Sequence, residues 1–89
     1  MPISGVVVTT RPEDLSPASQ FLASCPGVEV HGADDKGNIV AVFETNSGEE
    51  MEHLLQTVNA HPLVLHAGVT YINMEDLLED GGAASGAML

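Results

Sequence analysis

The sequence predicts an α+β fold in which strands and helices follow one another in the order β-α-β-β-α-β. The prediction depends on a pattern that occurs twice. In the first half, an apolar run (VVVTT) precedes a helical pattern (SPASQFLAS) and a second strand pattern (VEV). In the second half, the same order is found in NIVAVFE, EEMEHLLQTVN and LVLHAGVTYI. Such a plait places two helices on one face of a four-stranded antiparallel sheet and leaves the other face uncovered.

The first half of the chain predicts one helix between two strands. Residues 3–10 are nearly all β-branched and predict a strand that ends at Arg11. Ser16 suits an N-cap and Pro17 suits a first helical position, so we expect the helix to begin there. Its expected apolar face consists of Ala18, Phe21, Leu22 and Cys25. Alternation of apolar and polar residues over 28–31 then predicts a short edge strand.

The second half predicts a hairpin, a helix and a long last strand. Residues 32–38 (GADDKGN) favour turns, so they predict the connection into the third strand. Ser47 and Glu50 have the spacing of a capping box at the start of the second helix. Its apolar stripe, at helical spacing, consists of Met51, Leu54, Leu55 and Val58. A His-Pro turn then precedes the last strand, which we expect over residues 63–72.

The domain prediction divides the chain into residues 1–73 and a tail at residues 74–89. The tail reads MEDLLEDGGAASGAML, in which an acidic stretch gives way to small residues with little periodic apolar content. A short helix over residues 74–78 is an alternative. The composition favours an untethered, disordered tail.

Alternation along the strands predicts which side chains lie on the uncovered face. In the third strand, Glu44 marks the outward parity. The residues expected to face outward in the first, third and fourth strands are Gly5, Val7, Thr9, Val40, Val42, Glu44, Val64, His66, Gly68, Thr70 and Ile72. Those expected to face the core are Val6, Val8, Ile39, Ala41, Phe43, Leu65, Ala67, Val69 and Tyr71. An apolar patch of this size indicates an interaction surface, and pairing of two copies through it is the simplest alternative use.

The charge balance limits the classes of partner. The chain has 2 Lys and Arg residues against 13 Asp and Glu residues, so its formal net charge is −11. This charge repels a phosphate backbone and anionic lipid, whereas it attracts cationic peptides. We therefore expect no nucleic-acid partner. The short N-terminal apolar run and the single cysteine predict no secretion signal, no membrane insertion, no disulfide and a cytoplasmic location.

Candidate catalytic and metal-binding residues do not form a recognisable motif. The four histidines are His31, His53, His61 and His66, and their spacing matches no metal-ligand pattern. Glu44 and His66 could form an acid–base pair, but the sequence supplies neither a nucleophile nor a cleft. The TTRPED segment around Arg11 lacks clustered N–H donors for an oxyanion, and the lone Cys25 lacks the second thiolate of a copper site. We predict no catalytic residue, no metal site and no cofactor.

Three segments carry a resemblance to a known family. They are ISGVVVTTRPE, CPGVEVHGADDKGNIVAVFE and VNAHPLVLHAGVTYIN, and together they span most of residues 3–73. In this order and spacing they resemble the NapD family, the cytoplasmic chaperones for assembly of the periplasmic nitrate reductase. The resemblance implies a ferredoxin-like plait that binds the twin-arginine signal peptide of the catalytic subunit. It also implies that binding delays export until the molybdenum cofactor is loaded.

Two features depart from the resemblance. Pro17 lies in a helix that in relatives starts nearer Pro12, so we expect the first helix to be shortened or kinked. The tail is not part of the resemblance, and we assign it no role.

The implied peptide has a cationic region followed by an apolar stretch, and the uncovered face offers carboxylates beside apolar residues. The residues predicted to bind it are Gly5, Val7, Thr9, Glu29, Val40, Val42, Glu44, Val64, His66 and Thr70. An alternative is a regulatory domain that binds a small metabolite, as in amino-acid-sensing plaits, although TTRPED lacks the expected glycine-rich loop. A further alternative, a small phosphatase, would depend on Arg11.

Overall fold

The computed structural model describes residues 1–72, with side chains through residue 70, and its elements occur in the predicted order. They are β1 (Ile3–Thr9), a 3₁₀ turn (Pro12–Asp14), α1 (Leu15–Ser24), β2 (Val28–Ala33), β3 (Asn38–Glu44), α2 (Gly48–Asn59) and β4 (His66–Ile72). Within this part of the chain, no helix has the length and apolar character needed to cross a bilayer. The tail predicted at residues 74–89 lies outside the described residues.

The four strands form one antiparallel sheet in the order β2-β3-β1-β4. This topology confirms the predicted ferredoxin-like βαββαβ plait. It also confirms that β2 is an edge strand, and β4 is the other edge. Because β1 and β3 lie in the centre, their side chains determine the character of both faces.

The hydrophobic core lies between the helices and one face of the sheet. Its buried members come from both layers and are Val6, Val8, Ala18, Leu22, Ile39, Ala41, Phe43, Met51, Val58, Val64 and Ala67. The inward parity predicted for β1 and β3 is therefore confirmed. Phe21, Leu54 and Leu55 are partly buried against this cluster, as the predicted apolar helix faces require.

The start of the first helix differs from the prediction. Asp14 is the N-cap of α1, no side chain makes a capping hydrogen bond there, and Ser16 already lies within the helix. The preceding 3₁₀ turn begins at Pro12. Pro17 is the third residue of α1, where the missing N–H would have no partner within the helix, so it fits the first turn. The expected start at Ser16 and Pro17 is wrong, because α1 already begins at Leu15 and Pro17 lies within its first turn.

The hairpin between β2 and β3 is held by one carboxylate. Oδ1 of Asp34 accepts hydrogen bonds from the backbone N–H groups of Lys36 and Asn38, both at 2.9 Å, and Oδ2 accepts one from Nδ2 of Asn38 at 2.9 Å. The side-chain bond from Asn38, followed by the backbone bonds, lowers the pKa of Asp34. Gly37 has φ 104°, and a Cβ there would collide with the carbonyl oxygen of Thr10. The predicted hairpin is confirmed but is shorter than residues 32–38, because Gly32 and Ala33 extend β2 and only residues 34–37 connect the strands.

The start of α2 carries most of the predicted capping box. Oγ of Ser47 accepts a hydrogen bond from the N–H of Glu50 at 3.1 Å. Oε1 of Glu50 accepts one from the N–H of Asn46, also at 3.1 Å, rather than from the N-cap itself. The helix ends with Ala60 as its C-cap.

The last strand begins later than predicted, and this shift changes two assignments. The N–H of Val64 donates to the carbonyl oxygen of His61, which closes a turn. Residues 63–65 therefore lie outside β4, which begins at His66. Val64, which we placed on the uncovered face, is 7% exposed and belongs to the core. Leu65, which we placed in the core, is 60% exposed. Both assignments are wrong because alternation holds only where the backbone is extended.

The edge strand β4 also contains a register shift. Val6 pairs with Val69, but the preceding Gly5 pairs with Tyr71, so Thr70 is an extra residue between the two pairs. Val69 has the inward register but is 41% exposed, because β4 is an edge strand of the sheet formed by residues 1–72. Its predicted burial in the core is wrong.

Candidate functional site

The side of the sheet that the helices leave uncovered, here called the open face, is assembled from all four strands. Cross-strand partners share a face, so the pairs Val7–Val40, Gly5–Val42, Val7–Gly68 and Glu29–Val42 define it. The residues that we assign to the open face are Ile3, Gly5, Val7, Thr9, Glu29, His31, Asn38, Val40, Val42, Glu44, His66 and Gly68.

The centre of the open face is apolar. Val40 of β3 is 48% exposed, and its neighbours Val7 and Val42 are half-buried. These side chains stand on the two central strands, whose backbone groups are paired on both sides, so the surface is rigid. An apolar ligand could therefore bury these valines without reorganising the sheet.

One end of the open face carries the carboxylates. Glu44 ends β3, and Glu29 lies two pairing positions away on β2, opposite Val42. We call this region the Glu44 end. Beside it, Glu44, Asn46 and Glu50 line a shallow depression of about 450 Å³ between the end of β3 and the start of α2. A cationic group at this end would meet more than one carboxylate.

The opposite end of the open face carries an imidazole. His66 pairs with Thr9, which in turn pairs with Asn38 of β3. A Cβ placed on Gly68 would come within 2.9 Å of Cε1 of His66, so the His66 ring occupies the space above that glycine. We call this region, defined by Thr9, Asn38 and His66, the His66 end. The ring extends the central valine surface along β4.

Most polar side chains on or beside the open face already have partners. Oγ1 of Thr9 donates to Oδ1 of Asn38 at 3.1 Å, and Oγ1 of Thr70 donates to the carbonyl oxygen of Gly5 at 3.1 Å. Oε1 of Glu29 lies 3.1 Å from Nε2 of His31.

The side chains of Glu44 and His66 differ from the other polar side chains of the open face in their hydrogen bonding. Among residues 1–70, the carboxylate of Glu44 and the imidazole of His66 have no hydrogen-bond partner, and both residues are exposed. Glu44 and His66 can therefore interact with a ligand without breaking an existing contact.

The structure places most predicted binding residues together. Eight of the ten, including Gly5, lie on the open face, although Gly5 itself is buried. Thr70 lies at the register shift of β4, and Val64 lies in the core. The predicted site omitted four residues that share the open face, namely Ile3, His31, Asn38 and Gly68. Strand parity already placed Gly68 outward, whereas no sequence pattern indicates that the His66 ring lies where a Cβ of residue 68 would be.

Other reactive side chains serve the fold. The ring of His61 stacks on Phe21 with centroids 3.8 Å apart, and its Nδ1 accepts a hydrogen bond from the N–H of Leu63. Burial raises the pKa of the Cys25 thiol, which makes the reactive thiolate less available. Throughout residues 1–72, no group of three or more His, Cys, Asp or Glu side chains is placed to hold a metal ion.

A rigid sheet with an apolar centre and an acidic end is typical of a binding module, and comparison with known proteins identifies the class as a non-enzymatic Tat proofreading chaperone. The model of the family described as NapD protein matches residues 1–76. The chain belongs to the NapD family.

Two solved structures are similar to this chain. The solution structure of the Tat proofreading chaperone NapD from E. coli is 27% identical, with a TM-score of 0.73, and the match covers 78% of this chain and 74% of that one. A transcriptional regulatory protein of the AsnC family from Pyrococcus furiosus is 22% identical, with a TM-score of 0.66, and the match covers 80% of this chain and 49% of that one. The second likeness shows the fold alone. No curated protein sequence matches the chain.

Proposed function

We propose that this chain acts in the cytoplasm, where its open face binds the twin-arginine signal peptide of the catalytic subunit of a periplasmic nitrate reductase. Binding delays export of that subunit until its molybdenum cofactor is loaded. The observation that carries the proposal is the open face itself, in which the valines around exposed Val40 continue to Val42, opposite Glu29, and to Glu44, while the helices cover the other face. Membership of the NapD family supports the identity of the peptide.

The two parts of the open face suit the two parts of such a peptide. Its arginines would lie near Glu44 and Glu29, and its apolar stretch would cover the central valines. Exposed charge pairs mainly accelerate association and weaken with salt, whereas apolar burial prolongs the complex. In this arrangement, the hydrogen bonds from Thr9 to Asn38 and from Thr70 to Gly5 stay intact.

Calorimetric titration tests the proposal with two peptides and two variants. The wild-type chain should bind the signal peptide and should bind a copy with both arginines replaced by glutamine more weakly. Glu44→Gln should weaken binding of the arginine peptide by up to about fivefold, because an exposed ion pair contributes roughly 0.2–1 kcal/mol.

The matched control is Glu52→Gln. Glu52 is an exposed carboxylate of α2, on the helical side of the sheet, so this variant removes the same charge away from the open face. Its affinity should equal that of the wild type. Equal losses in the two variants would show that the open face is not the binding site, and equal affinity for both peptides would contradict recognition of the arginines.

A further inference from the structure

The open face is chemically different at its two ends, and this difference bears on how a peptide lies across it. The carboxylates Glu44 and Glu29 belong to one half of the face, because they pair with Ile3 and Val42. The six residue steps of β3 from Glu44 to Asn38 span about 20 Å at roughly 3.3 Å per residue. The two ends are therefore far enough apart to contact different parts of one peptide.

Both basic residues of the chain lie towards the His66 end. Arg11 follows β1 by two residues, at the end where Thr9 pairs with Asn38 and His66. Lys36 lies in the hairpin that enters β3 at Asn38. The charges of these two cations are offset by Glu13 and Asp14 beside Arg11 and by Asp34 and Asp35 beside Lys36. The difference between the two ends therefore lies in the strands: a peptide guanidinium at the Glu44 end would meet carboxylates on the open face itself.

The carboxylates near the His66 end lie in connecting segments and not on the strands of the open face, with Glu13 and Asp14 in the 3₁₀ turn before α1. Asp34 is occupied by three hydrogen bonds from Lys36 and Asn38 within its own turn. Asp35 is adjacent to Lys36 in the loop, beyond the last paired residues of the sheet. In contrast, the carboxylate of Glu44 has no hydrogen-bond partner among residues 1–70.

The His66 end suits an apolar segment. The imidazole lies over the bare Cα of Gly68, next to Val7 on the paired strand. The hydroxyl of Thr9 and the side-chain carbonyl of Asn38 bond to each other at 3.1 Å, so neither has to lose water alone when it is covered. From Val42 towards His66, the face thus becomes an apolar surface without a carboxylate.

We propose that the signal peptide binds the open face in one orientation, with its paired arginines at the Glu44 end and its apolar stretch running across the valines towards His66. This inference rests on the proposed function and adds to it the direction of the peptide. Attraction to Glu44 and Glu29 at one end, with no carboxylate on the open face at the other, favours this direction.

Paramagnetic broadening in NMR spectra tests the orientation. Two copies of the signal peptide carry a nitroxide, one ahead of the arginines and one after the apolar stretch, and each is bound to the isotope-labelled full chain. The first label should reduce the amide signals of Ile3, Glu44 and Thr45 more than those of Thr9, Asn38 and His66. The second should give the opposite pattern, and chemically reduced labels provide the control.

The outcomes separate the orientation from the proposed function. An unlabelled peptide is titrated first, and an absence of shifts on β1 and β3 would overturn both the binding site and the orientation. Shifts on these strands with the broadening patterns exchanged would overturn the orientation alone. Equal broadening at both ends by each label would also overturn it, because the peptide would then bind in two directions.

Discussion

At the scale of single residues, Gly68 and His66 form a unit whose coupling is measurable without a ligand. Gly68 has no positive φ, so its backbone accepts alanine. A change from glycine to alanine at such a position normally stabilises a protein by about 0.4–1 kcal/mol, because the unfolded chain loses entropy. With His66 present, however, the new Cβ would meet Cε1 at 2.9 Å and displace the ring.

We therefore expect Gly68→Ala to raise the free energy of unfolding by about 0.4–1 kcal/mol only when His66 is already alanine. In the wild-type background the gain should be smaller or reversed. Urea denaturation of the wild type, the two single variants and the double variant measures this coupling as a double-mutant cycle. The same change in both backgrounds would contradict the contact.

A charged residue gave the clearest sequence signal for residue parity. Glu44 gave β3 an unambiguous outward side, and the burial of Ile39 and Phe43 confirmed it. No such marker exists at Val64 and Leu65, which are both aliphatic. Their exposure is decided by the turn bond from Val64 to His61, which the sequence does not reveal.

At the scale of elements, α2 and β4 are joined through Asn59. Its Oδ1 accepts a hydrogen bond from the N–H of Ala67 at 2.9 Å, and its Nδ2 donates to the carbonyl oxygen of Ala67 at 3.0 Å. A side chain thus occupies the backbone groups that an edge strand would otherwise present for pairing. This closure of the β4 edge at Ala67 favours the open face over strand addition there as the docking surface.

Asn59→Ala should lower the free energy of unfolding by about 1–3 kcal/mol, because it removes the two hydrogen bonds to Ala67, worth roughly 0.5–1.5 kcal/mol each, and an exposed one to the carbonyl oxygen of Leu55. Hydrogen exchange at the amide of Ala67 should also become faster. Gln56→Ala, an exposed change one turn earlier in α2, provides the control and should leave both quantities nearly unchanged. Unchanged exchange at Ala67 in Asn59→Ala would show that the edge is protected by something else.

The elements themselves could largely be predicted, because their signals are local. The Ser47 cap and the turn residues around Asp34 act within a few positions of the chain. The register shift at Thr70 and the bond from Asn59 to Ala67 depend on neighbours brought together only by the fold. The extent of β4 and the detail of the site at its edge were therefore beyond sequence reasoning.

At the scale of the whole molecule, the net charge of −11 acts on any approaching cationic peptide before contact. The field is screened over a Debye length of about 30 Å at 0.01 M salt and about 3 Å at 1 M. At low salt the whole chain therefore attracts the peptide, and at high salt only the groups in contact with it do. The apolar centre of the open face is unaffected by this screening.

We therefore expect salt to act on the association rate of the signal peptide far more than on its dissociation rate. Between about 0.01 M and 1 M salt, the association rate constant should fall by about tenfold or more, as in other electrostatically steered encounters. Stopped-flow fluorescence with a labelled peptide measures both rates. A peptide with glutamines in place of the paired arginines should show a weaker salt dependence of association, because less charge is attracted. A salt dependence carried mainly by dissociation would instead mean that ion pairs, rather than the valines around Val40, hold the complex together.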